Sequence, residues 1–313
     1  MTPRGGWCGL LLLTQVACAS ANWVEPVGEF KKSVDESVAV VAGYYDNLNA
    51  FERRVYLADA LADPTRRIGT TDTDGKPTPL SGQVFSARGI KARTDALALV
   101  SLYARRLADL AGSDAPAEFR TNVGVLGDNL TKLDDTFRQL SSGGAEPADS
   151  RAAAYVGPIG QLVGLVGQIY LEHRRDAALE KAIGEGAPVV DKILKSLEDD
   201  LVAVVDPLQR TGNKQMLAQL VVDYNTSRAT ASESQRRAQL AAIEKAAESA
   251  DTALTFNPSS VLSGLREAHA ALVAYAKSPR KPADLASLSD ALSIFADRVD
   301  VAAAAVRGLR SAR

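Results

Sequence analysis

Apolar side chains recur at three- and four-residue steps over most of this chain, the spacing of helices that bury one face. From Pro26 to Ala62, Phe30, Val34, Val38, Val41, Tyr45, Leu48, Phe51, Val55 and Ala58 form one stripe. That predicts a helix of roughly 55 Å at 1.5 Å per residue. Asp63-Pro64 ends it, because the residue before a proline is pushed out of the α region. A polar loop holding Pro64, Gly69, Gly75, Pro77, Pro79 and Gly82 follows. The second helix is predicted over 86–112, with Leu97, Val100, Tyr103, Leu107 and Leu110 inward and Gly112 as its stop. Asp114 caps a third, with Pro116 in its first turn and a heptad seam at Phe119, Val123, Leu126, Leu130, Leu133, Phe137 and Leu140.

Residues 141–151, with Gly143, Gly144 and Pro147, form the clearest linker and a candidate sub-boundary. A fourth helix is expected over 152–183, ended by Gly184 and Gly186. Pro188 opens a fifth, lined by Ile193, Leu197, Leu201 and Val204. Pro207 must kink or end that helix, since it removes a donor and crowds the preceding turn. From Asn213 to Phe256 there is neither Gly nor Pro, which predicts one very long helix with Leu217, Leu220, Tyr224, Ala238, Ala242, Ala246 and Ala253 inward. Its middle, Thr226–Gln235, is polar. Asn257-Pro258 breaks it. Two more helices follow, one through Val261, Leu262, Leu265, Leu272 and Val273, the last through Leu285, Leu288, Leu292, Phe295, Val299, Val306 and Leu309.

No segment alternates as a strand, and no repeat emerges at 20–50 residues. The predicted fold is all-α: an elongated bundle of about seven to eight long, mostly antiparallel amphipathic helices. Composition agrees. Charged residues make up 24% and hydrophobic ones 46%, enough apolar surface for a core. Aromatics are only 5%, so Leu, Val and Ala must build it. Net charge is −2, or −3 without Arg4, and no attraction to nucleic acid is expected.

The N-terminus changes the picture most. Arg4 precedes an uncharged stretch, Trp7 to Ala17, centred on Leu10–Leu13, and small residues follow at Ala17, Ala19, Ser20 and Ala21. This is the layout of a secretory signal, too short to remain as a membrane span. Cleavage has two readings, one after Ala19-Ser20-Ala21 and one before Cys18. Both cysteines, Cys8 and Cys18, lie in this region, so the body after it has no disulfide and no thiolate metal site. Gln15-Val16-Ala17-Cys18 resembles the lipobox of bacterial exported lipoproteins, although Gln15 stands where that class has Leu or a small residue. The resemblance implies lipidation of Cys18, and Ala19 after it implies outer-membrane delivery, facing the periplasm. Without lipidation the chain is expected to be soluble and periplasmic. The organisation then predicted is a cleaved signal over 1–17, a short tether over 18–25 and the helical bundle over 26–313. Trp23 would lie near the lipid interface or staple the first helix.

Candidate chemistry is sparse. The two histidines, His173 and His269, have no Glu-x-x-His, His-Glu-x-x-His or Gly-x-Ser-x-Gly motif around them, and both are expected to be structural or solvated. Asp72-Thr73-Asp74-Gly75 resembles part of a calcium loop, but Thr70 and Ser81 stand where its essential carboxylates belong, so an ordinary turn is expected. Five Arg-Arg dyads, at 53–54, 66–67, 105–106, 174–175 and 236–237, invite an anion-binding reading. Adjacent helical residues point about 100° apart, so ion-paired surface is the expectation. No catalytic residue, cofactor or metal is expected.

One segment departs from the pattern. Ala152 to Leu171 carries no charge and has the length of a bilayer span. Gly157, Gly160, Gly164 and Gly167 fall at steps of 3, 4 and 3, a face that lets another helix approach closely. It is expected either to lie buried in the bundle or to insert into a membrane, an architecture similar to helical pore-forming toxins. The function expected is a non-enzymatic envelope scaffold or binding module, tethered to the membrane by Cys18. Its helices are candidates for a protein partner or self-association.

Overall fold

The computed structural model describes residues 21–63, 65, 68, 84–112, 132–142, 149–171, 176–255 and 257–311. Among them every regular element is helical. In chain order they are α1 (Ala21–Ala62), α2 (Ala87–Ala111), α3 (Leu133–Ser142), a 3-10 segment (Asp149–Tyr155), α4 (Pro158–Leu171), α5 (Asp176–Asp200), a π turn (Leu201–Val205), α6 (Asp206–Ser227), α7 (Glu233–Thr255), α8 (Ser259–Lys277) and α9 (Pro282–Ser311). Residues 1–20 with the predicted signal, most of the predicted loop over 63–84, residues 113–131 of the predicted third helix and the centre of the predicted 141–151 linker lie outside the described residues.

The stripes meet in one core that takes in residues from Trp23 to Val306. Burying each Leu, Val or Phe contributes about 1.5–3 kcal/mol, and this term holds the bundle together. Named contacts fix the directions. Asp35 meets Arg105 and Asn49 meets the Phe85 carbonyl, so α1 and α2 run antiparallel. Trp23 packs edge-on to Tyr275 and Phe30 stacks on His269, so α1 and α8 do too. Arg93 reaches Asp200 while Tyr103 reaches Ala182, which sets α2 against α5 in the same sense. Glu180 pairs with Arg280 and Asp191 with Arg266, making α5 antiparallel to α8.

Ser86 caps α2 by accepting from the Gly89 N–H at 2.9 Å, and Gly112 ends it, as the spacing predicts. Elsewhere the boundaries differ. α1 begins at Ala21, so residues 21–25, expected in the tether, belong to its first turns. Trp23 and Val27 extend the stripe by one more turn, and both are fully buried. The indole therefore sits in the core under Arg280.

The predicted fourth helix is split. Gly157 takes φ +90°, a conformation open to glycine, and Pro158 starts α4. Conversely, Gly184, Gly186 and Pro188 do not interrupt α5. Gly184 and Pro188 both face solvent, so the carbonyl that Pro188 leaves without a donor points to water. Pro207 is absorbed by the π turn: the Asp206 N–H reaches back five residues to the Leu201 carbonyl, and the widened turn makes room for the ring.

The long helix predicted over 213–256 is a hairpin of α6 and α7. Ser232 and Gln235 explain the break. The Gln235 N–H donates to Ser232 Oγ at 3.2 Å and the Ser232 N–H to Gln235 Oε1 at 2.8 Å, a reciprocal capping box. Gln239 Nε2 closes the hairpin on Ser227 Oγ at 2.9 Å.

Candidate functional site

The most unusual chemistry is at the junction of α2, α5 and the 3-10 segment. Arg93 is fully buried in α2, on the same stripe as Leu97 and Val100. Its Nε donates to Asp200 Oδ2 at 2.7 Å and one terminal nitrogen to the Gly89 carbonyl at 3.1 Å. The guanidinium lies 4.0 Å from the centre of the Phe85 ring. Tyr155 donates to the same Asp200 oxygen at 2.8 Å and stacks on Phe137 of α3. Burial pushes the Asp200 carboxyl above its ordinary range, against the pull of Arg93 and the two hydrogen bonds. Burial also opposes the charge on Arg93, and the attraction of Asp200, Tyr155 and Tyr45 overcomes it. Every member is sealed from solvent, so this group orders three segments and has no access to a substrate.

A second carboxylate, Asp206, is buried six residues on, across the π turn. It bonds to Ser259 and Asn257, at the start of α8. Its Oδ1 has no hydrogen-bond partner. Desolvation raises its pKa to about 6, with the Ser259 and Asn257 bonds and the Arg210 charge pulling the other way. Asp206 thus ties together the two ends of the α6–α7 hairpin.

That hairpin departs from the core as an arm. Gly212 sets its root against α1, where a Cβ would come within 2.6 Å of Val55 and 2.8 Å of Phe51. Between Lys214 and Ser249 no residue is buried. Ala238 and Ala242, expected inward, face solvent, while Gln239 bonds Ser227 of α6 and Ile243 is half-buried. On the outer side of α6, Val222 is 54% exposed and Val221 38%, beside exposed Ala218.

α4 carries three of the four glycines singled out in the sequence on its outer face. Ile159, Leu162, Leu165, Val166 and Ile169 are buried, whereas Gly160, Gln161, Gly164, Gly167 and Gln168 are exposed. A methyl group built on Gly164 or Gly167 meets nothing within 4 Å, so no helix among the described residues uses the close approach they permit. Gly157 serves the turn, its N–H donating to Asp134 Oδ1 at 2.8 Å. An open groove of about 300 Å³ runs between α4 and α5, lined by Gly160, Gln161, Gly164, Gln168, Glu185 and Val189. Arg151–Ile169 is apolar enough for a membrane span, with mean hydropathy 1.3, yet only 39% of it is buried. The helical part, α4, has 14 residues, about 21 Å against a hydrocarbon core of about 30 Å.

The remaining candidates are placed as follows. His269 is buried between Phe30 and Tyr103, its Nε2 3.3 Å from the Tyr103 hydroxyl, and burial lowers its pKa to about 4. It is a neutral core residue. The dyads divide between faces: Arg105 pairs with Asp35 at the surface while Arg106 is buried beside Asp109, and Arg237 pairs with Glu233 while Arg236 bonds the Ala231 carbonyl. Cys18, His173, Asp72, Asp74 and the dyads 66–67 and 174–175 lie outside the described residues. No group of three or more His, Cys, Asp or Glu among the described residues is placed to hold a metal ion.

Sequence reasoning missed Arg93, Asp200 and Asp206. The signal was available, since Arg93 precedes Leu97 by four positions and Asp200 falls between Leu197 and Val204 on one stripe. A charge at a core position of two helices points to a buried pair. Comparison of the chain with protein-family models, curated proteins and solved structures yields no match.

Proposed function

We propose that this protein is a non-enzymatic scaffold or binding module of the cell envelope, lipid-anchored through Cys18 or soluble in the periplasm, with the α6–α7 arm as its contact element. The observation that carries the binding role is the arm itself: 36 residues from Lys214 to Ser249 with none buried, and apolar Ala218, Val221 and Val222 turned outward. A two-helix hairpin with so little core gains stability from a third helix laid against it, so the partner suited to it is a helical segment of another protein. The buried Arg93–Asp200 pair is engaged internally, which leaves the surface for recognition.

Two experiments separate the parts of this reading. Metabolic labelling with a palmitate analogue is expected to mark the wild-type chain and leave Cys18→Ala blank; equal signal in both, or none in either, removes the anchor. Cross-linking in intact envelopes is expected to give a discrete adduct that Val222→Asp abolishes. An unchanged adduct pattern removes the arm.

A second reading, insertion of residues 152–171 into a bilayer, is favoured by the uncharged outer face of α4 and its low burial. Gly164→Asp leaves the soluble fold intact, because the site is open, but puts a charge on the inserting face. Liposome leakage caused by the wild type and lost in this variant supports insertion; equal leakage, or no leakage by the wild type, rejects it.

A further inference from the structure

We propose that the root of the α6–α7 arm is an acid-tightened hinge, with Asp206 as its sensor. The geometry supplies each part. α6 joins α5 through the π turn at 201–205, and the first residues beyond it are Asp206 and Pro207. Pro207 has no N–H, so this junction has fewer backbone bonds than a regular helix and opens at lower cost. The other end of the arm returns through Asn257 and Ser259, and the Asp206 side chain is the polar tie between the two ends.

That tie is incomplete. Ser259 and Asn257 serve the carboxyl group, yet Oδ1 is sealed from water with no donor. An ionised carboxylate in such a place is costly, and a neutral carboxyl is not. The groups that face it are few. From α1 come the Tyr44 and Tyr45 phenols, both held neutral because burial raises their pKa. From α6 comes Arg210, and from the start of α8 only the uncharged Ser259 and Asn257. Asp200, across the π turn, is committed to Arg93. Among the described residues Arg210 is therefore the one cation acting on Asp206, and it does not outweigh desolvation.

Opening the root hydrates the carboxylate and returns it to ordinary acidity. Closure therefore takes up a proton: it strengthens as pH falls through about 6, and the gain is complete near 4. Above pH 7 that gain is absent, and the packing of the root against α1 at Gly212 remains. The hinge does not depend on what the arm binds, and it stands or falls separately from the scaffold reading.

Hydrogen exchange of the full mature chain, read by mass spectrometry at pH 5 and pH 7 and corrected for the intrinsic rate, tests it. Amides of 206–212 and 259–262 are expected to gain about tenfold in protection at pH 5, while those of α2 do not change. In Asp206→Asn the two pH values should give equal protection, at the wild type's acid level. Ser259→Ala removes a donor to the ionised form and should move the midpoint upward. A flat wild-type profile, a pH response that persists in Asp206→Asn, or a midpoint unmoved by Ser259→Ala overturns the proposal.

Discussion

Replacing Arg93 with methionine is expected to destabilise the protein by about 3–5 kcal/mol, the usual cost of stripping one partner from a buried ion pair. Methionine fills most of the space, so a cavity accounts for little of this. The loss comes from what stays behind. Asp200 keeps only the Tyr155 hydroxyl at 2.8 Å, in a position sealed from water. The Gly89 carbonyl loses a donor and Phe85 loses the cation over its ring. Removing both charges is another matter, since apolar replacement of a whole buried pair is often neutral. Arg93→Met with Asp200→Leu and Tyr155→Phe should therefore be more stable than Arg93→Met alone. Acid supplies an independent check. Without Arg93 only the Tyr155 bond and the Arg151 charge oppose burial at Asp200, its folded-state pKa climbs further, and the deficit should shrink from pH 7 to pH 5. Urea titrations at the two pH values measure both effects. A loss below about 1 kcal/mol, unchanged by pH, would mean that water reaches this carboxylate.

The same buried pair shows why a stripe is easier to read than what lies on it. Val34, Val41, Tyr45 and Leu48 in α1, or Leu288, Leu292, Phe295 and Val299 in α9, were legible because burying one helix face imposes a 3.6-residue period on composition. Arg93 obeys that period and violates the composition rule, so its position hints at burial while the identity of its partner, 107 positions away, stays unread. Asp206 hides for the same reason. Its environment depends on where Ser259 returns, and a period within one helix carries no information about another.

Helix ends were misread where punctuation was taken from Gly and Pro alone. At 184–188 both residue types are present and α5 continues, because Gly184 and Pro188 look to water while Gly186 packs against Tyr103. At 228–232 neither is present and the helix stops, because Ser232 and Gln235 offer the backbone donors a better partner than another turn would. Reading the arm as one helix then put Ala238 and Ala242 on the wrong face, since a turn resets the phase of the stripe. The α4 glycines were found by spacing, yet spacing states only that a close neighbour fits, and among the described residues the place is open. Burial of the neighbouring Leu162 and Leu165 is what shows which side of α4 faces the core.

Two glycines in one helix should respond to alanine with opposite signs, and the pair tests the packing of α5 against α2. Gly184 faces solvent in the helix interior, and a Cβ there meets nothing within 4 Å. Gly184→Ala should therefore gain about 1 kcal/mol, the propensity difference with nothing to oppose it. Gly186 has the same propensity to gain, but its Cβ would lie 2.5 Å from the Tyr103 hydroxyl oxygen and 2.7 Å from two ring carbons. The ring has no route of retreat. It is fully buried, edge-on to His269, with its hydroxyl at the Ala182 carbonyl, so the helices must part or Tyr103 must leave its rotamer. Overpacking of this kind costs about 1–3 kcal/mol or more, so sterics win over propensity. Gly186→Ala is expected to lose about 1–2 kcal/mol net, and Gly186→Val more. Tyr103→Phe removes the nearest atom, so combining it with Gly186→Ala should cost less than the sum of the two single changes. Thermal and urea unfolding of the five variants decide it. A gain at both glycines would show that α2 and α5 stand farther apart than the Tyr103 contact requires.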